Sequence, residues 1–200
     1  MNHLGHLFLA RDDSALMAGA FLGDFVKGRL TGERPNAIER GIQFHRATDA
    51  YVDAHAAQHR SINRFEPEFR RYGGIICDVV YDHFLANYWS EFSPQLFTQF
   101  CDNAYEQVLK QHVHLSPEAI KTMTRMRQYG SLEGYQSETY IDRSLGHIAT
   151  RLSRTNPLDR AFSQYQNHAA DLEQDFFEFM PDLLRFARTW RDANAGPQTN

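Results

Sequence analysis

Residues 75–86 read Ile75-Ile76-Cys77-Asp78-Val79-Val80-Tyr81-Asp82-His83-Phe84-Leu85-Ala86. A segment this apolar on nearly every side forms a buried helix. Asp78 and Asp82 stand four residues apart, so their carboxylates stack on one face of it. A carboxylate buried without a partner is strongly destabilising unless its pKa shifts until it is neutral. Two stacked carboxylates also repel each other. Something positive must sit between or beside them. By spacing alone a divalent metal and an arginine, such as Arg46 or Arg71, serve equally well.

Helical periodicity extends outward from this run in both directions. Asn2 to Arg11 reads as a short first helix, and Ser14 as the N-cap of a second that ends at Leu22. Gly23, Gly28, Gly32 and Pro35 mark a loop. Pro35 suits the first turn of a helix through His45-Arg46, and a further piece continues to Phe65. Glu66-Pro67 and Tyr72-Gly73-Gly74 are breaks. Ser93-Pro94 and Ser116-Pro117 are helix starts. Further helices are predicted over 137–154 and from Asn156-Pro157 to Arg191, with Pro181 placed to kink the last one. No alternating strand pattern of useful length appears. The expected fold is all-α, a single domain over 1–192 with a flexible tail over 193–200.

Composition narrows the function classes. The chain has 200 residues, 42% hydrophobic and 23% charged, which suits a soluble globular domain. A net charge of -4 argues against nucleic-acid binding. Residues 25–71 nevertheless carry nine Lys/Arg against six Asp/Glu, a basic patch able to receive an acidic partner. Two cysteines, Cys77 and Cys101, make neither a disulfide framework nor a zinc motif, which fits a reducing cytoplasm. No stretch is apolar enough to span a membrane.

Residues suited to chemistry cluster in the first half: His3 and His6, Asp24, His45-Arg46 with Asp49, and Asp78 with Asp82-His83. His45 and Asp49 repeat the four-residue spacing of the aspartates. Two helices that each present such a pair can build a metal centre between them. Carboxylates with one imidazole form a hard site that suits Mg²⁺ or Mn²⁺ better than zinc. A hard metal beside arginines points to phosphate-ester chemistry. The structural alternatives are ion pairs for the aspartates, a hydrogen-bonded core role for His3, His112 and His168, and solvation for Asp53 and His55. No glutamate is followed three residues later by histidine, so the di-iron signature of ferritin-like bundles is absent. Phosphate-loop and dinucleotide motifs are absent too.

Four ordered blocks carry a resemblance. Met1-Asn2-His3-Leu4-Gly5-His6-Leu7, Gly23-Asp24-Phe25-Val26-Lys27-Gly28, Gly41-Ile42 through His45-Arg46 to Asp49, and Asp78-Val79 through Asp82-His83-Phe84-Leu85 with Trp89 resemble the acyl carrier protein phosphodiesterases. That family is described as related to the helical HD-type metal-dependent phosphohydrolases. The resemblance implies an HD-domain-like fold and hydrolysis of the phosphodiester joining 4′-phosphopantetheine to a serine of holo-acyl carrier protein, with Mn²⁺ or Mg²⁺. One departure stands out. An HD signature orders the pair His-Asp, whereas this chain reads Asp82-His83.

On that basis Asp24, His45, Asp78 and Asp82 are the expected metal ligands. Arg46 is expected to steady the phosphoryl oxygens, and His6 or His83 to supply a proton to the leaving group. Asp49 is expected to orient His45 or Arg46. Lys27, Arg29, Arg60 and Arg64 are expected to touch the carrier protein. Two rival readings are an HD-like enzyme acting on a nucleotide or other small phosphoester, and a non-enzymatic helical binding module.

Overall fold

The structure, a computed structural model, describes residues 1–195. Among them there are helices, turns and loops and no strand, so the all-α expectation holds. Helix α6 (Gly73–Asn87) is the quoted run, and it packs against α1 (His3–Leu9), α4 (Ala56–Arg64), α11 (Glu138–Arg151) and α12 (Phe162–Ala193). Contact on several sides explains why it is apolar nearly all round. Ile76, Cys77, Val79, Val80, Tyr81 and Leu85 are buried in it.

The most extensive interface joins α2 (Ser14–Leu22) to α3 (Asn36–Ala54). Gly19 and Gly41 make it possible. A Cβ on Gly19 would run into the Ile38 carbonyl oxygen, and one on Gly41 would stand 2.5 Å from the Leu16 carbonyl oxygen. With no side chain on either, the two backbones meet directly. The loop 23–35 then turns out from the end of α2, using positive φ at Gly28 and Gly32.

Several boundaries differ from the expected ones. Asp13, not Ser14, caps α2, its carboxylate accepting from the N–H groups of Ala15 and Leu16. Ser93-Pro94 does not open a helix. Ser93 Oγ accepts from Gln95 N–H in a turn, and α8 (Phe97–Lys110) begins beyond it. Gly73 and Gly74 lie inside the first turn of α6. Ser116 does cap α9 (Pro117–Gln128) as expected. Short helices α5 (Pro67–Arg70), α7 (Trp89–Phe92) and α10 (Ser131–Gly134) link the longer ones. The stretch after Asn156 starts as a 3₁₀ turn, Leu158–Arg160, before α12 continues through Pro181 to Ala193. Most of the expected tail lies outside the described residues.

Arg60 and Arg64, expected to touch the carrier protein, fasten α4 to α12. Both guanidinium groups donate to Asp175, which is 2% exposed, at 3.0 and 3.1 Å. Ser61 Oγ donates to the same carboxylate at 2.9 Å. Removing either arginine would leave a buried charge short of partners, which makes these residues structural. The expectation of carrier contact did not include this role.

Glycines separate close packing from helix propensity in a testable way. Gly41→Ala should lower unfolding free energy by about 1–3 kcal/mol through overpacking. At Gly146, within α11, an added Cβ would meet nothing within 4 Å. Gly146→Ala should therefore raise stability by about 0.5–1 kcal/mol. Urea denaturation of the two variants reads both signs.

Candidate active site

The stacked aspartates meet backbone N–H groups and the Met1 ammonium, with no arginine against them among the described residues. Asp82 is fully buried and sits at the start of α1, where the first N–H groups of a helix have no intrahelical partner. Its Oδ2 accepts from Leu4 N–H at 2.8 Å, and its Oδ1 from Gly5 N–H at 3.1 Å and Asn2 N–H at 3.3 Å. A Cβ on Gly5 would stand 2.9 Å from Oδ1, so the glycine admits the carboxylate. One turn earlier, Asp78 Oδ1 accepts from the Met1 ammonium at 2.7 Å. Burial, with the charge of Asp78, pushes Asp82 up to about 7 against the pull of the ammonium and the N–H groups. Asp82 is thus an anchor for α1, with its oxygens already taken.

Anchoring α1 aims its histidines at α3. His6 Nε2 lies 3.1 Å from Asp49 Oδ1, and His45 Nε2 lies 3.1 Å from Asp49 Oδ2. The two imidazoles stack with centroids 3.9 Å apart. Gly23 leaves room for this, because a Cβ there would enter the His45 ring. Asp24, next along the chain, brings Oδ1 to 3.9 Å from His45 Nε2 and Oδ2 to 3.2 Å from His3 Nδ1. The groups of His6, Asp24, His45 and Asp49, with Asp53 and Asp78, line a cavity of about 290 Å³.

Charge follows from this packing. Burial drives the His6 proton affinity down to about 4 against the help of its hydrogen bond to Asp49, and the neighbouring His45 and terminal ammonium add to the fall. His6 is therefore neutral near pH 7. Burial opposes ionisation of Asp49 and Asp24, but their histidine partners hold both well below the usual carboxylate range. His3 is also disfavoured as a cation by burial, yet its hydrogen bond to Asp24 raises it overall. Ligand atoms of His6, His45 and Asp49 all lie within 4.8 Å of one another. Their 3.1 Å spacings match the roughly 3 Å edge between adjacent ligands on an octahedral ion with bonds of about 2.1 Å. The donor set, two imidazoles and a carboxylate with Asp24 close by, fits a divalent cation and is less hard than the single-imidazole site expected. Equally, the same spacings fit N–H···O hydrogen bonds.

The chain has counterparts among known sequences. The family model described as acyl carrier protein phosphodiesterase matches residues 1–183. The chain belongs to that family. A relative from Klebsiella pneumoniae strain 342, named acyl carrier protein phosphodiesterase, is 33% identical over 192 residues, covering 94% of this chain and 97% of its own. One of the same name from Serratia proteamaculans strain 568 is 32% identical over 190 residues, covering 94% and 98%. Another, from Escherichia coli O157:H7, is 31% identical over 185 residues, covering 92% and 96%. No solved structure matches the chain.

The cavity gathers some expected residues and leaves others out. Asp24, His45, His6 and Asp78 line it, and Asp49 joins them from a position expected to be secondary. His3, expected to be structural, pairs with Asp24 from the neighbouring larger cleft. Asp82 does not reach it. His83 faces elsewhere, its Nδ1 2.7 Å from the Tyr135 carbonyl oxygen and its Nε2 3.2 Å from Tyr165 Oη. Arg46 donates to the Val26 carbonyl at 2.9 Å and so braces the loop that carries Asp24. Asp82, expected as a metal ligand, and Arg46 and His83, expected at the phosphoryl oxygens and the leaving group, thus make other contacts in the structure. Lys27 and Arg29 stay on that loop, both exposed. The repeated i, i+4 spacing of His45 and Asp49 was the signal for a joint role.

Two large shifts, those of His6 and Asp82, oppose each other with pH. His6, ordinarily 6.5 and lowered to about 4, contributes stability above pH 6.5 that is lost as pH falls toward 4. Asp82, ordinarily 3.8 and raised to about 7, contributes stability at low pH that is lost as pH rises from 3.8 to 7. Each effect is on the order of 3 kcal/mol. Relative to wild type, His6→Gln should therefore lose stability as pH rises through this window, and Asp82→Asn should gain it. Chemical denaturation at pH 4.5 and 6.5 distinguishes the two slopes.

Proposed function

We propose that the protein hydrolyses the phosphodiester between 4′-phosphopantetheine and the carrier serine of holo-acyl carrier protein, in the cytoplasm, releasing apo-carrier protein and 4′-phosphopantetheine. The observation that carries the reading is the facing pair His6 and His45 on the two oxygens of Asp49, in a chain of this family. Mn²⁺ or Mg²⁺ is the cofactor proposed, with His6, His45, Asp49 and Asp24 as the groups that would hold it. When bound, such an ion supplies a more acidic water and a polarised phosphoryl oxygen.

The chain's own residues supply the rest. Neutral His6 can offer a lone pair at physiological pH because burial keeps its proton affinity low. Asp49 holds both imidazoles in register, so neither ring turns away. Asp78 adds negative charge to the cavity wall and is itself balanced by the Met1 ammonium. As an imidazolium, the form its hydrogen bond to Asp24 favours, His3 would carry a proton on each ring nitrogen, Nδ1–H toward Asp24 and Nε2–H to give up to the departing serine oxygen. Lys27 and Arg29 beside Asp24 favour approach of an acidic carrier protein by charge complementarity.

Intact-mass measurement of holo-acyl carrier protein, incubated with the protein and Mn²⁺, tests this directly. Loss of the prosthetic-group mass only when a divalent ion is present is the expected result. Asp49→Asn should slow that loss by about 100-fold or more. Full cleavage in a chelator, or none with any divalent ion, would contradict the proposal.

A further inference from the structure

A second and larger cleft opens beside the first. It has a volume of about 730 Å³ and shares Asn2, Asp24 and Ile148 with the smaller cavity. Its walls come mainly from α9, α10 and α11, the half of the chain whose sequence offered few chemical motifs. A volume of this order suits a small organic ligand. What distinguishes the lining is hydroxyl groups: Thr122, Ser131, Tyr140 and Ser144. Ser131 of α10 and Ser144 of α11 both lie near the Tyr140 hydroxyl and favour its ionised form, against the burial that raises it. Gly134 makes space for the Tyr140 ring, which a Cβ would otherwise meet at 2.5 Å.

Hydroxyl groups donate and accept, so they pair with amides in either sense. Aromatic faces alongside them suit apolar methyl groups. Tyr129, 69% exposed, extends that aromatic surface to the rim. Arg143, His147 and Arg151 follow at intervals of four along α11, on one face. Neither arginine makes an ion pair among the described residues. The charge of Arg151 is felt at His3, so this end of the row lies toward the shared wall with Asp24.

We infer that this cleft binds the pantetheine arm of the substrate: an uncharged chain bearing a hydroxyl, two methyl groups and two amides, ending in a thiol. The inference rests on the reading of the chain as a carrier-protein phosphodiesterase. It goes further by giving the second half of the chain a recognition role. The phosphate end of the arm lies at the shared wall, near Asp24 and Arg151, and the chain runs from there along the hydroxyl-lined side. Binding energy from the arm positions phosphorus over the first cavity.

Pantetheine itself, which lacks the phosphate, is the probe. Steady-state cleavage of holo-acyl carrier protein is measured with increasing pantetheine, for wild type and for Ser144→Trp and Thr122→Trp, which fill the cleft from α11 and α9 respectively. Pantetheine should inhibit wild type competitively. In either variant the inhibition constant should rise about tenfold or more, and the KM for holo-carrier protein should rise with it. Direct calorimetric titration of pantetheine into each protein should follow the same order. Should a tryptophan variant fail to fold by circular dichroism, Tyr129→Ala at the exposed rim carries the same comparison. Cleavage by wild type with no pantetheine inhibition, or with equal inhibition in folded variants, overturns the cleft assignment and leaves the proposed reaction standing. No cleavage of holo-carrier protein by wild type overturns both.

Discussion

The carboxylate of Asp82, buried against the first N–H groups of α1, is the contact on which the remaining geometry depends. It lies on the central helix and satisfies donors that a helix start cannot satisfy for itself. By fixing where α1 begins, it fixes which way His3 and His6 point. Gly5 permits the approach, and Asp78 adds a second tie one turn away. A negative charge at a helix N-terminus is also favoured by the helix dipole, though burial works against it. The opposed shifts of Asp82 and His6 express that tension. Burial pushes the carboxylic acid toward its protonated form and the imidazole away from its own, so each is driven toward neutrality.

Much of the helical framework was legible in the sequence because apolar periodicity, prolines and capping residues act locally. The buried run over 75–86, the Ser116 cap and the helix over Glu138–Arg151 follow from short-range rules. Ser93-Pro94 misled because a serine before a proline also makes a turn, and only tertiary packing chooses between them. Pairing was the less legible part. The stacked aspartates posed the right electrostatic question, but backbone N–H groups leave no mark in a sequence. Nor does a partner more than a hundred positions away, which is why Arg60 and Arg64 read as free surface charge when Asp175 holds both.

The candidate site shows the same division. Each of its histidines and aspartates stood out by residue type and spacing, yet their ranking changed on folding. Asp49 moved from an orienting role to the centre of the cluster, and His3 from a core histidine to the partner of Asp24. Asp82 and His83 moved out of it, one to hold a helix start and the other to bond Tyr135 and Tyr165. Among the described residues neither Asp78 nor Asp82 pairs with an arginine, and the carboxylate that bridges two arginines is Asp175, remote in sequence. Two adjoining cavities result, one small and rich in ligand-type groups, one larger and lined by hydroxyls, with Asp24 in the wall between them.

The central claim is a division of labour between two acidic groups, Asp49 for ion binding and Asp82 for folding. Electron paramagnetic resonance of Mn²⁺ titrated into the purified protein tests it most directly, because free and bound Mn²⁺ are read separately. Wild type and Asp82→Asn should bind the ion with similar affinity, while Asp49→Ala, still folded, should lose that binding. Unchanged binding in folded Asp49→Ala, or its loss in folded Asp82→Asn, would contradict the account.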